Sequence, residues 1–377
     1  MRRFAEPDEA DAARAMKVLQ LPVNIASQAS VTVRALRDAG VEARGRVCGN
    51  LPGADPAGME VYAVPSLRKH PLRGIVRAVG WMRRVREAMA WADVIHWHSD
   101  WSPIPWDLEL RRAAKLGKPR IVEFWGTDIR VPEIASVHSP YLAQMLVENP
   151  RFFRSGRRSG RRTQERFARH GFSCLIPCME LRPYIQPDVF PVPYYTSQRL
   201  VLSDFEPQYP DPANGRPLLV HAPSHTLVKG TPSVLAAVEK LRATHQFDFR
   251  LVHGLPHSEA MDLVRRCDVF LDQFVIGDFG LAALEAMAFG KPTVCYIRPS
   301  LAAVYPSDSP IVNASQENLA DVLKGLLEDA ERRRSLGRES RAYVERHHDA
   351  RKIVRGLLRV YEELLAKSRT EQGRAGP

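Results

Sequence analysis

Long apolar runs and cysteine pairs are both missing from this sequence. None of its apolar segments approaches the roughly 18 residues that a membrane-spanning helix needs. Five cysteines are scattered along the chain, and Cys174 and Cys178 have a CxxxC spacing with no second pair. This pattern predicts reduced thiols in a reducing compartment rather than a disulfide scaffold. The start has no apolar segment of the kind found in secretory signals, and we expect residues 1–15 to form a disordered tail.

The motifs of several large enzyme classes are missing as well. No GxGxxG, no P-loop GKS/T and no GxSxG occurs, which disfavours dinucleotide enzymes, P-loop ATPases and α/β-hydrolases. Apolar residues make up 45% and charged residues 26% of the 377 positions, as in ordinary globular proteins. A chain of this length predicts two domains or three.

Positive charge is in excess and unevenly distributed. The net charge is +11, yet residues 68–86 hold seven Lys/Arg and no acid, and residues 151–170 hold eight Arg and one Glu. These patches are either solvated faces or contacts with something anionic, such as lipid headgroups or a phosphorylated acceptor. No known nucleic-acid motif fits them, and we expect no nucleic-acid partner. The helix expected over 72–90 places arginines beside an apolar stripe that includes Ile75, Val76 and Val79, which also suits a bilayer surface.

Short apolar runs alternate with amphipathic stretches along the chain. This alternation predicts βαβ units and parallel sheets covered on both faces. Eight prolines between 183 and 217 interrupt the pattern, which then restarts. We therefore predict an α/β protein of two Rossmann-like domains facing across a cleft, with the site in that cleft. The expected parts are an N-terminal domain over 16–190, a linker over 191–216, a C-terminal domain over 217–349 and a helix over 350–367 that returns to the N-terminal domain.

One apolar helix carries a single acid. From Phe279 to Phe289 every residue except Glu285 is apolar or glycine. A carboxylate there is costly unless it finds donors, so Glu285 either faces a cleft and accepts hydrogen bonds from ligand hydroxyls, or reaches solvent at a domain edge. The amides of Gly280 and Leu281 begin this helix and would point at an anion such as a diphosphate.

The segment GDFGLAALEAMAFGKP, residues 277–292, resembles the EGFGLPxLEAMAxGxP signature of GT-B retaining glycosyltransferases, family 4, the glycogen-synthase-like group. HAPSHTLVKGTPSVLAAVEKL is similar to that family's GRLxxxKGxxxLIxAxxxL block, and RRCDVFLDQF to the strand before the signature. VPYYTS resembles the start of its linker, whereas DVIHWHS and WGTD match more loosely. The resemblance covers about residues 16–365 and is strong only in the C-terminal half.

This resemblance implies a GT-B fold and sugar transfer from a nucleotide-sugar co-substrate, UDP- or GDP-linked, with retention of configuration. Lys229 would hold the diphosphate, Glu285 the ribose, and Gly280 and Leu281 would cap the phosphates. In the N-terminal half, a loop after the first strand would approach the donor; its candidate residues are Asn24, Ser27 and Gln28.

The resemblance also has consequences for metal, acceptor and location. GT-A enzymes use a DxD metal clamp, and no DxD occurs here, so we expect neither a metal nor another cofactor. The acceptor is unknown, with a lipid-linked molecule or a polysaccharide as candidates. We expect a cytoplasmic protein that is peripheral to the inner membrane face through 68–86 and 151–170. For Lys229 the alternative is a surface lysine at the start of a helix.

Three positions depart from the family pattern. A common upstream Glu is Gly277 here, with Asp278 beside it. The phosphate-binding Arg before the KG pair falls near Ser224 and His225, which become candidate donor contacts. The HGxD segment reads WGTD, so its histidine is Trp125, and Asp128 is the remaining polar candidate for catalysis in the N-terminal half.

Two alternatives of other classes stay open. His96 and His98 point to the same side of a strand and resemble part of an HxHxDH motif, which would suit a metal-dependent hydrolase. More in keeping with a Rossmann strand, one histidine lines the cleft and the other packs in the core. The second alternative is a non-catalytic basic binding module, for nucleic acid or for a sugar nucleotide alone.

Overall fold

The computed structural model describes residues 16–49, 54–63, 71–149 and 160–374. They form two compact units. The first holds the described residues within 16–130, 160–199 and 350–374, and the second holds 131–149 and 200–349. Each unit is built around its own parallel sheet.

The strands, in chain order, are β1 (Lys17–Leu21), β2 (Glu42–Cys48), β3 (Met59–Tyr62), β4 (Val94–His98), β5 (Arg120–Glu123), β6 (Ser173–Ile176), β7 (Tyr194–Tyr195), β8 (Leu218–His221), β9 (Asp248–Leu251), β10 (Val269–Leu271), β11 (Thr293–Cys295) and β12 (Val312–Asn313). The α-helices are α1 (Gln28–Asp38), α2 (Pro71–Trp91), α3 (Leu108–Lys115), α4 (Pro132–His138), α5 (Pro140–Glu148), α6 (Gly160–Arg169), α7 (Thr226–Lys229), α8 (Thr231–Arg242), α9 (His257–Arg266), α10 (Leu281–Ala288), α11 (Pro299–Ala302), α12 (Leu319–Glu328), α13 (Ala330–His347) and α14 (Ala350–Arg374). Short 3-10 turns lie at Ile25–Ser27, Pro105–Asp107, Met179–Tyr184 and Leu202–Asp204.

The sheet of the first unit has the strand order β3-β2-β1-β4-β5-β6-β7, and all its pairs are parallel. Its central strand β4 is buried along its whole length, as expected for a parallel sheet covered on both faces. Helix α14 packs on α1 in this unit, and Tyr361 of α14 accepts a hydrogen bond from Gln20 of β1 (3.3 Å).

The sheet of the second unit has the order β12-β11-β10-β8-β9, again with parallel pairs throughout. The order reverses direction between β8 and β10, where doubly wound sheets commonly bind ligands. The α/β class with two Rossmann-like sheets, predicted from the alternation of apolar runs, is confirmed.

Helices α4 and α5 belong to the second unit, although they lie within the range 16–190 expected for the N-terminal domain. The Ser139 hydroxyl donates to the Val275 carbonyl, and Tyr141 packs edge-on against Tyr296, at 4.8 Å between ring centroids. The local sequence of this segment carries no sign of which sheet it will join, because its partners lie more than 130 residues away.

Two features of the first unit differ from the sequence-based expectation. Strand β2 was not anticipated, because EARGRVC has weak β character and its inward positions are mostly small. In α2 the expected apolar stripe is divided along its length: Val76 and Val79 are exposed, whereas Val85 and Met89 are buried. Within the described ranges, every helix is too short or too polar to cross a bilayer.

Candidate active site

Lys229 lies at the carboxyl edge of the second sheet, at the end of α7. Gly230 follows it with φ +73°, a left-handed conformation that ends α7 and begins α8. A Cβ at Gly230 would come within 2.9 Å of the Phe274 Cβ, so glycine is required for space as well. The KG pair is therefore a tight turn that carries Lys229 to the strand ends.

Asp272 is the partner of Lys229. The Lys229 Nζ donates to Asp272 Oδ1 (2.6 Å), and the Gly280 amide donates to Asp272 Oδ2 (2.7 Å). Sequence reasoning missed Asp272 as a site residue. The available signal was a carboxylate directly after the buried strand β10, at the sheet edge where ligands of such folds bind.

Gly280 allows this close approach. An added Cβ would lie 2.9 Å from the Lys229 Nζ, so a larger residue would displace the lysine. The amide of Gly280, expected to cap a phosphate, donates to Asp272 instead. Among the described residues no protein acceptor takes the amide of Leu281, the first residue of α10, which leaves it available for an anion.

Glu285 lies one turn further along α10 and is half-buried. Burial, followed by the negative charge of Asp272, raises the pKa of Glu285 to about 7, although Lys229 opposes the shift. Its carboxylate makes no hydrogen bond within the part of the chain that the structure describes. The second unit thus brings together Lys229, Gly280, Leu281 and Glu285, with Asp272 among them.

Ser224 and His225 lie in the loop between β8 and α7 and are exposed. The His225 carbonyl accepts from the Lys229 amide (3.0 Å), so this loop is part of the same strand end. Below it, His221 contacts the Leu271 carbonyl and the Thr231 hydroxyl, each at 2.9 Å. Burial lowers the pKa of His221 to about 4, and its role is to join two elements of the sheet edge.

The absence of the family's upstream Glu has a backbone reason. Gly277 has φ +84°, and a Cβ there would lie 3.0 Å from the Arg298 Cβ. A glutamate at this position would be strained. The neighbouring Asp278 accepts from the Phe279 amide (2.8 Å) and from the Tyr305 hydroxyl, so its carboxylate is used within the protein.

Asn24, Ser27 and Gln28 of the first unit have protein partners. Asn24 holds the Ser30 amide (3.1 Å) and the Asp55 carbonyl (2.8 Å), and the Ser27 hydroxyl accepts from the Asp55 amide (2.8 Å). Gln28 exchanges two hydrogen bonds with the backbone of Arg199, both of 3.0 Å. These contacts fix the loop after β1, and donor binding by the three side chains stays a prediction.

Asp128 is buried in the loop after β5. Its carboxylate accepts from the amides of Trp125 (2.9 Å) and Gly126 (2.7 Å). Burial raises the pKa of Asp128 to about 6, even though these backbone hydrogen bonds favour the ionised form. Its geometry is that of a loop cap, and a catalytic role also stays a prediction.

His96, His98 and Glu123 form a closed network in the first unit. The Arg199 guanidinium holds both Glu123 oxygens (3.1 and 2.8 Å). His96 Nδ1 lies 2.6 Å from the Tyr361 hydroxyl, and His98 Nε2 lies 2.7 Å from the Gln20 Oε1. The remaining ring nitrogens lie 3.2 Å (His96 Nε2) and 3.4 Å (His98 Nδ1) from Glu123.

Burial and the Arg199 charge determine the protonation states of this network. Burial lowers the pKa of both histidines, so they are neutral. Burial also disfavours ionised Glu123, but Arg199 and His96 outweigh it and hold the pKa of Glu123 well below its usual range. The result is one ion pair with neutral imidazoles around it.

A metal ion does not fit among these groups. One atom from each of His96, His98 and Glu123 lies within 4.8 Å of the others, which is the spacing of a ligand set. However, Trp125 Nε1 donates to His98 Nδ1 (3.3 Å), and the guanidinium beside Glu123 would repel a cation. The metal-dependent hydrolase is therefore not favoured, and sequence spacing alone was a poor guide here.

Comparisons with known proteins bear on the fold and on one stretch of the sequence. Residues 234–359 match a family model described as "Glycosyl transferase-like". Sucrose-phosphate synthase from Thermosynechococcus elongatus is similar in structure over 94% of this chain and 100% of its own, with a TM-score of 0.63 and 13% identity. The fold is GT-B. HepE from Anabaena, solved with UDP, covers 92% of this chain and 100% of its own (TM-score 0.55, 14% identity).

A third GT-B structure, of trehalose-6-phosphate synthase, covers 93% of this chain and 99% of its own (TM-score 0.53, 12% identity). No curated protein matches the chain by sequence. At these identities the neighbours establish the GT-B fold. The family match spans α8 to α14 from residue 234 onward, and it includes Asp272, Gly280, Leu281 and Glu285 but not Lys229.

Proposed function

We propose that this GT-B protein is a glycosyltransferase that uses a nucleoside-diphosphate sugar as donor and needs no metal. The observation that carries the proposal is the cluster of Lys229, Asp272, Gly280 and Glu285 at the edge of the second sheet. It places the Lys229 cation near the Leu281 helix amide, which no described residue accepts, and near the Glu285 carboxylate, which has no hydrogen-bond partner among the described residues. The glycosyl transferase-like match over residues 234–359 supports the same conclusion.

The chemistry of donor cleavage suits these groups. When the glycosidic bond to the diphosphate breaks, negative charge develops on the bridging oxygen. The Lys229 ammonium and the Leu281 amide are positive groups placed before the reaction, and they would stabilise that charge. Ionised Glu285 would accept hydrogen bonds from two ribose hydroxyls and so fix the nucleoside.

Several finer features belong to the same proposal. The Anabaena HepE structures hold UDP, or UDP-glucose, which makes a uridine donor the first to test. Retention of configuration is proposed from the signature over 277–292. The five cysteines are free thiols, in keeping with a cytoplasmic location. We propose Asp128 as the residue that orients sugar or acceptor.

The test is calorimetric titration of UDP, GDP and ADP into the wild-type protein and into Lys229→Ala. We expect one nucleotide to bind, and its binding to be at least tenfold weaker in the variant, since charged hydrogen bonds contribute about 1.5–3 kcal/mol. Lys240→Ala is the matched control, because Lys240 is an exposed helix lysine 3.7 Å from Asp321. Equal nucleotide affinity in all three proteins would show that the site is elsewhere.

Transfer itself is tested by following release of the nucleoside diphosphate from a panel of sugar donors. Slow hydrolysis of one donor that is lost in Lys229→Ala supports the enzyme. Nucleotide binding without any turnover across the panel would favour the binding module. No observation on the described residues favours that module now.

A further inference from the structure

The first unit exposes an apolar surface that the fold itself does not use. It is formed by one face of α2 together with the turn before α3. Its exposed or partly exposed apolar members are Ile75, Val79 and Met82 of α2, Trp106 of the turn and Leu108 at the start of α3, and we name this group the α2 surface. These residues line a groove of about 820 Å³.

The exposure of this surface is large. Ile75 is 55% exposed, Val79 65% and Trp106 77%, and the adjoining Val76 is 71% exposed. Single exposed apolar residues are common, but a contiguous group of this size marks an interaction site. The helix is anchored from its other side, where Trp81 and Val85 are buried.

The turn that presents Trp106 is held in place by tertiary contacts. Trp106 and Asp107 both have positive φ, of 61° and 57°, which non-glycine residues rarely adopt. Arg166 of α6 holds this turn through its bond to Asp107 Oδ1 (2.6 Å) and to the Asp100 carbonyl (2.7 Å). The backbone turn that carries Trp106 is therefore held by contacts within the first unit.

Arginines surround the apolar residues. Arg83, Arg86 and Arg112 line the same groove. The one acid in the lining, Glu87, already accepts from Arg83 (3.1 Å). The surface thus combines an apolar floor with uncompensated positive charge.

We propose that the α2 surface docks this protein on an anionic lipid bilayer. The apolar side chains would enter the acyl region, and the arginines would bind lipid phosphates. Charge decides between occupants: a second copy of the chain would bring its own arginines against these, whereas an anionic membrane complements them. This proposal goes beyond sugar transfer and does not depend on it.

The two arginine-rich segments noted in the sequence, 68–86 and 151–170, supply only part of the positive charge expected to bind the membrane. Residues 68–70 of the first patch and 151–159 of the second lie outside the described residues. The described part of the second patch forms α6, where Arg161 pairs with Glu165 (2.7 Å) and Arg166 with Asp107. These arginines are therefore partly neutralised, and the α2 surface is the better candidate.

The test is co-sedimentation of the full chain with vesicles of phosphatidylcholine alone and of phosphatidylcholine mixed with phosphatidylglycerol. We expect binding only to the anionic vesicles, and weaker binding as salt rises, because exposed charges are screened over about 10 Å at 0.1 M. Equal binding to both vesicle types, or no binding to either, would overturn the proposal.

Two pairs of variants locate the contact. Val79→Asp should weaken vesicle binding about tenfold or more, whereas Val192→Asp, at a valine of the same unit that is even more exposed, should leave it unchanged. Arg86→Glu should weaken it at least about fivefold, because each basic residue near an anionic surface contributes about that factor. Arg250→Glu, an exposed arginine of the second unit, is its control.

Other readouts separate the remaining occupants. All four variants should keep the thermal midpoint and the nucleotide affinity of the wild type. A negative result in the vesicle experiments would therefore leave the proposed glycosyltransferase activity untouched. A concentration-dependent dimer that Val79→Asp dissociates, without vesicle binding, would identify a second copy as the partner. Binding to an oligonucleotide but not to vesicles would identify nucleic acid, and either result would overturn the membrane proposal.

Discussion

The two sheets each gather ionisable residues at their strand ends, but the two groups are in opposite states. In the first unit, Glu123 is fully buried and forms an ion pair with Arg199, and both histidines are neutral. In the second unit, Glu285 is half-buried and has no hydrogen-bond partner among the described residues, and the Lys229 side chain retains 11% exposure. The charged carboxylate of the first group has a counter-charge and hydrogen-bond donors, whereas the Glu285 carboxylate of the second has no hydrogen-bond partner among the described residues.

This difference separates a structural group from a candidate active site. Buried polar groups that are fully hydrogen-bonded stabilise and orient the fold. Groups with perturbed pKa values and unused hydrogen-bonding capacity in a cleft are candidates for ligand binding. His96 and His98 were considered as metal ligands from the sequence, yet they belong to the structural group.

The same Glu→Gln change should have opposite effects on stability in the two groups, and the larger effect is in the first. Glu123→Gln leaves the Arg199 guanidinium buried without a counter-charge. Breaking a buried ion pair from one side costs about 3–5 kcal/mol. Chemical denaturation of the wild type and of this variant at pH 7.5 measures the loss. A cost below about 1 kcal/mol would contradict the closed-network interpretation.

Lys229→Ala should mainly reduce turnover. Its charge acts most strongly as the diphosphate departs, and loss of one such group typically lowers kcat by about 10²–10³. Steady-state kinetics with the donor that the panel of sugar donors identifies would measure it. A variant that loses only donor affinity, with kcat intact, would show that Lys229 binds the ground state alone.

Glu285→Gln should weaken donor binding and also change its pH dependence. Because the pKa of Glu285 is about 7, donor affinity of the wild type should rise as pH increases through 7, where the carboxylate ionises. The variant should bind about 1.5–3 kcal/mol more weakly at pH 8 and show no such rise. Calorimetry at pH 6 and pH 8 measures both effects.

The same variant tests linkage to stability. The folded-state pKa of Glu285 lies above the usual 4.5 of an unfolded chain, so ionisation destabilises the folded protein. This penalty develops as pH rises from 4.5 to 7 and is fully present above 7. Glu285→Gln should therefore be more stable than wild type at pH 8 and equal to it below pH 4.5. Equal unfolding curves at pH 8 would mean that the carboxylate has a partner.

Asp272→Asn should have a smaller effect, with opposite consequences for binding and turnover. It removes a negative charge beside the expected diphosphate, so nucleotide affinity should rise, by about tenfold at most. Lys229 loses its anchor, and kcat should fall. The variant should also lower the pKa of Glu285, because Asp272 contributes to its elevation. A fall in both affinity and kcat would indicate that Asp272 only maintains the fold.

Chelation should have the smallest effect of all. We expect EDTA to leave turnover unchanged, because the donor cluster supplies its own cation. Added Zn²⁺ should not raise the thermal midpoint, because Arg199 and Trp125 already occupy Glu123 and His98. Loss of turnover in EDTA that Mg²⁺ or Mn²⁺ restores would make the reaction metal-dependent.

Local sequence was sufficient for most of the fold. The alternation of apolar runs predicted the two parallel α/β sheets, and the apolar segment 279–289 predicted the helix α10, because period and length are local properties. It missed β2, whose small inward residues carry little β signal, and it did not place α4 and α5. It did not show where along α2 the apolar stripe is buried, because Val79 and Val85 belong to the same stripe and only Val85 packs in the core.

The composition of the candidate site was likewise partly local. A lone Glu in an apolar helix pointed to Glu285, whereas Lys229 was implied by the family resemblance; the structure brings the two together with Gly280 and Leu281. Asp272 was missed because its importance lies in two partners, 43 positions before it and eight after it. Ser224 and His225 lie nearby, whereas Asn24, Ser27 and Gln28 are bonded within the first unit.

The sequence by itself determined the parallel α/β class, the GT-B likeness and the residue types available for chemistry. Tertiary structure alone decided which of these side chains are already bonded within the protein and which remain available to a ligand. Whether a histidine or a carboxylate is satisfied depends on residues far along the chain, such as Arg199 beside Glu123 and Tyr361 beside His96. Pairing and burial set protonation and availability, and neither can be deduced from spacing.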